Sequence, residues 1–385
     1  MQWLPAFLLL AQLNQKPKGQ VPSARQASCG YMKLKVDLIP LRQRKQKPTD
    51  PLKLEFGTTF TDHMFTMSYR EGMWNDPRIG PFQPLSLNPA AMCLHYGQGV
   101  FEGMKAYRRK GKVYLFRPRD NILRLNSSAK RIVMPEVDID FTLDCLKDLI
   151  RIERDWIPEV SGTSLYIRPT MIATEPKLGV RASLEYLFYI ILSPVGPYFR
   201  EGFNPVKLLV SEKYVRAVRG GIGFSKTVGN YAASLLAGKE AADQGYSQVL
   251  WLDALDRQYI EETSTMNVFV KFRDELATSP LDGTILPGIT RDSVLRISRD
   301  WGLKVSERRV SIHELLKGIE AGTVQEVFGA GTAAIIAPIG ELSYQGTAYV
   351  INGGKTGDLT RRLYDEILGI QCGERQDSHG WVLSV

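Results

Sequence analysis

Cysteine and histidine are scarce, with four of each among 385 residues. The cysteines (Cys29, Cys93, Cys145 and Cys372) lie far apart and form no CxxC pair. That excludes the disulfide framework of a small secreted domain and fits a reducing compartment, so a cytoplasmic protein is expected. The histidines (His63, His95, His313 and His379) lack metal-ligand spacing, and no metal is expected. No apolar run approaches the roughly 20 residues that span a bilayer, so no membrane partner is expected. An excess of one charge is also missing from most of the chain. The net charge is +8, but residues 1–50 hold nine Lys or Arg against two Asp, and the remainder holds 40 basic against 39 acidic residues. A solvated basic tail around Arg42 to Lys47 accounts for that balance without a nucleic-acid partner.

What is present is a hydrophobic fraction of 44% in a length suited to two domains. The N-terminus admits three readings. Trp3 to Leu13 has the length of a signal-peptide core, but no Lys or Arg precedes it. Gln26-Ala27-Ser28-Cys29 is spaced like a lipoprotein cleavage site, with Gln26 where an aliphatic residue is wanted. The third and favoured reading starts translation at Met32, which leaves residues 1–31 outside the fold.

Strand-like and helix-like patterns then alternate without an internal repeat, which predicts an α/β (α+β) protein. Val113–Phe116, Ser164–Ile172 and Glu185–Leu192 read as strands, and Asn121–Ile132 and Phe141–Trp156 as helices. Pro and Gly crowd Ser193–Gly202, which marks a connector. Beyond it the pattern predicts strands at Val206–Val210, Gln248–Leu252 and Asn267–Lys271. Helices are expected at Tyr231–Asp243, Ile289–Trp301 and Leu359–Leu368. The expected organisation is a tail over 1–48, a smaller α+β domain over 49–194, a connector over 195–204 and a larger domain over 205–385.

Four stretches carry candidate chemistry. The loop Arg219-Gly220-Gly221-Ile222-Gly223-Phe224-Ser225-Lys226 sets a lysine among glycines that permit close backbone approach. That lysine is either a solvated ammonium or an inward amine whose neutral form desolvation favours. In Glu261-Glu262-Thr263-Ser264-Thr265, read as a turn between strands, the acids are either solvated or one faces a heterocyclic nitrogen. Leu286-Pro287-Gly288-Ile289-Thr290 opens a helix, whose free N–H groups either are simply capped or receive phosphate. Val327-Phe328-Gly329-Ala330-Gly331-Thr332-Ala333 enters a turn whose amides could hold an anion.

In this order the four stretches resemble the branched-chain-amino-acid aminotransferases, pyridoxal-phosphate enzymes of fold type IV. Further matching blocks are Phe56 to Met64, Leu94-His95-Tyr96-Gly97, Phe101 to Lys105, Leu165 to Pro169 and Gln248 to Asp253. The resemblance covers about nine-tenths of the chain and leaves out the N-terminal tail.

The resemblance implies a two-domain fold with pyridoxal 5'-phosphate at the domain interface. It implies that Lys226 anchors the cofactor covalently and moves a proton between substrate Cα and cofactor C4′. Glu262 would face the pyridine nitrogen and Tyr231 O3′, while Arg124, Ile289, Thr290 and Thr332 would hold the phosphate. The implied substrate pocket comprises Phe56, Tyr96, Phe101, Tyr166, Val180 and Tyr198, with Thr265 and Ala333 near the α-carboxylate. Arg168 would meet the γ-carboxylate of glutamate. The implied reaction is reversible amino transfer from leucine, isoleucine or valine to 2-oxoglutarate, in a homodimer with each site near the subunit interface. Two departures stand out: Val228 where many relatives have Gly, and Ala334 and Ala337 where animal members have a CxxC pair. The alternatives are a D-amino-acid aminotransferase, an aminodeoxychorismate lyase, or a catalytically silent binding protein using its basic tail.

Overall fold

Alternation of buried and half-buried residues in parts of His63–Arg70 and Tyr186–Val195, and near-continuous burial along Ser164–Ala173, build the first of two sheets in the computed structural model, which describes residues 33–197 and 203–385. Its spatial order is Lys35–Val36, Met73–Pro81, His63–Arg70, Tyr186–Val195, Ser164–Ala173, Met104–Arg109, Lys112–Phe116 and Val382–Ser384, with Gly99–Phe101 on Ser164–Ala173. Helices Pro118–Arg131 and Ile139–Ile152 accompany it. Asp138 starts the second of these, its carboxylate accepting the N–H of Phe141.

The second sheet contains Val206–Val210, buried parallel to Gln248–Leu252 on one side and to Ile335–Tyr344 on the other. Val324–Gly331 and Asn267–Phe272 follow, and Ile260–Thr263 pairs with both Gln248–Leu252 and Asn267–Phe272. Six strands thus close into a ring, while Leu276–Thr278, Val305–Glu307 and Thr347–Val350 extend it. The cluster Leu208, Val210, Leu250, Val268, Val270 and Leu342 packs with helix Ile312–Glu320, which Ser311 caps at the N–H of Glu314. No helix among the described residues is long and apolar enough to cross a membrane.

The structure changes three expectations. Residues 33–48, read as tail, lie against the first sheet. Lys35–Val36 pairs with Arg78–Ile79, His63 Nε2 accepts the N–H of Ile39 at 2.9 Å, and Asp62 accepts the N–H of Lys45 at 2.9 Å. The Lys45 ammonium donates to the carbonyls of Phe60 and Thr61 and lies 4.6 Å from the ring of Phe82. Second, the chain's last strand leaves the domain expected over 205–385. Val382–Ser384 pairs antiparallel with Tyr114–Phe116 in the first sheet. Third, the helix expected over Tyr231–Asp243 is two helices, Val228–Ala233 and Leu235–Asp243, divided at Ser234. The Ser234 hydroxyl returns to the Tyr231 carbonyl at 2.8 Å, a local bond that competes with helix continuation. In the expected connector, the strand continues to Val195, and Tyr198 to Gly202 fall outside the described residues.

Residues Lys33–Val385 form one compact unit by themselves. A chain beginning at Met32 should therefore fold with an unchanged melting temperature. One beginning at Pro51 should melt lower, because the buried acceptors His63 Nε2 and Asp62 Oδ1 lose their amide donors. Each such loss costs about 1–3 kcal/mol, and thermal melts of the two chains decide the matter.

Candidate active site

The backbone at Lys226 and Thr227 is held by the first sheet and its helix Pro118–Arg131. Phe101 donates its N–H to the Lys226 carbonyl at 3.1 Å, Val100 bridges Thr227, and the Lys226 N–H donates to Ser128 Oγ at 2.9 Å. With its backbone fixed, Lys226 extends Nζ to 2.9 Å from the Tyr231 hydroxyl. The amine lies 5.2 Å from the centre of the Phe101 ring and 5.4 Å from that of Tyr231. Tyr231 reaches this position because its helix begins at Val228, which sets it in the first turns rather than at the start.

Glu261 and Glu262 lie on a strand, Ile260–Thr263, and not in a turn. Successive strand residues face opposite ways, so Glu262 lines the cavity that also holds Lys226 while Glu261 does not. Burial pushes the Glu262 carboxyl above its ordinary value, and the Arg216 guanidinium, 3.4 Å away, opposes that shift most strongly. The N–H of Leu286 also donates to Glu262. Arg216 further donates to the carbonyls of Thr284 at 2.7 Å and Gly223 at 3.1 Å, tying this carboxylate to the loop that precedes Lys226. Glu261 accepts from Thr284 Oγ1 at 2.7 Å, and burial pushes it up to about 7.

A third edge of the cavity is built to receive an anion. Gly288 precedes helix Ile289–Asp300, and the first bond into that helix runs from Asp292 N–H to the Gly288 carbonyl. The amides of Ile289 and Thr290 therefore have no partner within the helix. A Cβ at position 288 would stand 2.0 Å from Asn267 Oδ1, so glycine is required for this approach. Arg124 reaches the same edge. Its guanidinium is bidentate to buried Glu102 at 2.7 and 2.9 Å and donates to the Pro287 carbonyl at 3.1 Å. Thr332 lines the same cavity.

The family model for Amino-transferase class IV matches residues 99–342. The chain belongs to the class IV amino-transferases. It is similar to branched-chain-amino-acid aminotransferase 2 of Bacillus subtilis, at 52% identity over 90% of this chain and 96% of that protein. It is also similar to a probable branched-chain-amino-acid aminotransferase of Staphylococcus aureus, at 51% identity over 88% and 94%. Among solved structures, the branched-chain amino acid aminotransferase of Escherichia coli superposes with TM-score 0.69 at 29% identity, covering 83% of this chain and 98% of that one. The T.th. branched-chain amino acid aminotransferase with pyridoxamine 5'-phosphate does so with TM-score 0.68 at 27% identity, covering 82% and 97%. These likenesses bear out the fold-type IV expectation.

In this class IV amino-transferase, one cavity brings together Phe56, Phe101, Arg124, Tyr166, Arg168, Lys226, Tyr231, Glu262, Thr265, Ile289, Thr290, Thr332 and Ala333. Phe56 meets Tyr166 edge-on with ring centres 4.7 Å apart, and the Arg168 guanidinium stacks 4.7 Å over Phe101 while donating to the Tyr166 hydroxyl at 3.1 Å. The Tyr166 hydroxyl passes over Gly103, where a Cβ would come within 2.0 Å of it. Two expected pocket residues are elsewhere. Tyr96 is 41% exposed and Val180 is 91% exposed, in a surface groove with Ile132, Ile222 and Thr227. The Tyr96 hydroxyl accepts the N–H of Gly179 at 2.8 Å. Tyr198 lies outside the described residues.

Sequence reasoning missed Arg216, Asn267, Glu102 and Ser128. All four act on neighbours through backbone atoms or a paired charge, and no local pattern of residue types marks such a role. The sole signal is the position of Arg216 in the segment leading into the glycine-rich loop.

Proposed function

We propose that this chain reversibly transfers the amino group of leucine, isoleucine or valine to 2-oxoglutarate, using pyridoxal 5'-phosphate. The observation that carries this reading is the convergence on one cavity of an amine paired with a phenol, a buried carboxylate and a helix N-terminus. That donor set suits a phosphorylated pyridine carbonyl compound, which supplies an electron-withdrawing ring beside the substrate Cα.

The protein's own groups then divide the work. Lys226 Nζ would anchor the cofactor covalently and, as a free amine, would take up and return the substrate Cα proton. Tyr231 orients that amine through its hydroxyl and would offer the same hydroxyl to the cofactor's phenolic oxygen. Glu262, its carboxyl raised by burial and that rise partly offset by Arg216, would face the ring nitrogen and hold its proton. Arg124, Thr332 and the amides of Ile289 and Thr290 would fix the phosphate.

Phe56, Phe101 and Tyr166 form an apolar wall that accepts a branched side chain by burying its area. Thr265 and Ala333 receive the α-carboxylate, and Arg168 offers the γ-carboxylate of glutamate a charged donor in the second half-reaction. A homodimer with each site near the subunit interface gives Tyr96 and Val180 a place in the neighbouring site, and their exposure supports that assembly. Free Cys93, Cys145 and Cys372 support a cytoplasmic location.

The test is a visible spectrum of the purified protein with and without leucine, followed by glutamate production from leucine and 2-oxoglutarate. A leucine-dependent loss of the cofactor band and steady glutamate formation are expected. A colourless protein reconstituted with cofactor, or a band indifferent to leucine, overturns the proposal.

A further inference from the structure

Lys105 lies on strand Met104–Arg109 of the first sheet, yet its ammonium donates across to the Ala333 carbonyl of the second at 2.5 Å. Ala333 belongs to the turn Thr332–Ala334, which joins Val324–Gly331 to Ile335–Tyr344 and lines the cavity at Thr332 and Ala333. Two further features mark this turn. Among the described residues, no main-chain hydrogen bond outside the regular helices and strands engages the amides of Thr332, Ala333 or Ala334. Ile335, which closes the turn, has φ +65°, a left-handed conformation that a β-branched residue adopts only when its surroundings force it.

Strain beside unspent amide donors is the arrangement of an anion-receiving turn that must be held open. Peptide planarity supplies the means of holding it. Drawing the Ala333 carbonyl toward Lys105 turns the next N–H, that of Ala334, the opposite way.

We infer that Lys105 is a positioning residue for carboxylate recognition, its ammonium holding the Thr332–Ala334 turn by the Ala333 carbonyl so that the turn's amides receive the substrate α-carboxylate. This rests on the function proposed above. Lys105 itself stays outside the reacting atoms.

The surroundings of Lys105 make its role separable by pH. Burial pushes its ammonium down to about 8. Its ammonium faces the Cys372 thiol, raised by burial to about 11, and shares a cavity with the phenols of Tyr107 and Tyr364, both raised by burial. Arg109 faces the same thiol. Between pH 7 and 9.5, therefore, Lys105 is the member of this group that changes charge.

The test uses the holoenzyme and 4-methylvalerate, a branched carboxylate without an amino group to react. In Lys105→Met, binding of 4-methylvalerate measured by calorimetry should weaken about tenfold, the effect of losing one charge-assisted hydrogen bond. KM for leucine should rise by the same factor with kcat within about twofold. Lys105→Arg should retain wild-type affinity at pH 7.

Wild-type affinity should fall as pH rises through about 8, and Lys105→Arg, which keeps its charge, should lose that alkaline fall. Unchanged affinity in Lys105→Met overturns the inference. So does an alkaline fall that persists in Lys105→Arg, even if Lys105→Met fails to fold. A wild-type protein that binds 4-methylvalerate but does not transaminate leucine overturns the proposed function alone.

Discussion

Lys226→Ala should abolish transamination, lowering kcat by at least about 10⁴-fold, because one substitution removes both a covalent anchor and a proton carrier. Its amine meets Tyr231 inside the cavity. Its backbone partners Phe101 and Ser128 bond through main-chain atoms that alanine retains. The variant should therefore melt near the wild-type temperature while turnover disappears. Borohydride reduction of the wild type followed by peptide mapping should place the label on Lys226. A label on Lys105, whose ammonium reaches the cavity-lining turn at the Ala333 carbonyl, refutes the assignment.

The two adjacent acids should behave in opposite ways. Glu262→Gln should lower turnover about 10²-fold or more, the scale seen when one pre-oriented electrostatic group is removed. Glu261→Gln should change turnover little, because its carboxylate turns away to Thr284. It should instead change stability with pH. Burial raises the folded Glu261 pKa to about 7 from an ordinary carboxyl value near 4.5. The unfolded state thus loses its proton first, and the wild type forfeits stability as pH climbs from about 4.5 to about 7. Glu261→Gln has no such loss, so its melting temperature relative to wild type should rise across that window and level off above it. Equal losses of turnover in both variants would mean that the strand register places Glu261 in the cavity.

Strands written as short apolar runs were the most legible parts of the chain. Val206–Val210 and Gln248–Leu252 coincide with their expected limits because each is an uninterrupted or nearly uninterrupted apolar run bounded by polar residues. The edges of the first sheet were not legible. Lys45 reads as a solvated charge, yet its ammonium finishes the hydrogen bonding of two carbonyls that lie well beyond it in sequence. Val382–Ser384 is too short to carry a period, and its partner Lys112–Phe116 is far earlier in the chain. In the site, Lys226 and Glu262 stand in stretches unusual enough to notice, while Arg216 contacts one carboxylate and two carbonyls that only the folded backbone brings to it.

The return of the C-terminus to the first sheet bears on how the protein is made. Lys112–Phe116 is the strand that Val382–Ser384 covers, and the main-chain bonds from Arg117 N–H to the Trp381 carbonyl and from Val385 N–H to the Val113 carbonyl close the same seam. A ribosome releases the chain from its N-terminus, so the whole ring of the second sheet emerges while that flank is still uncovered. An unpaired flank is a template for another chain. The nascent protein therefore stays vulnerable to edge pairing until Val382–Ser384 has emerged, and a product truncated before it is the form most exposed to aggregation.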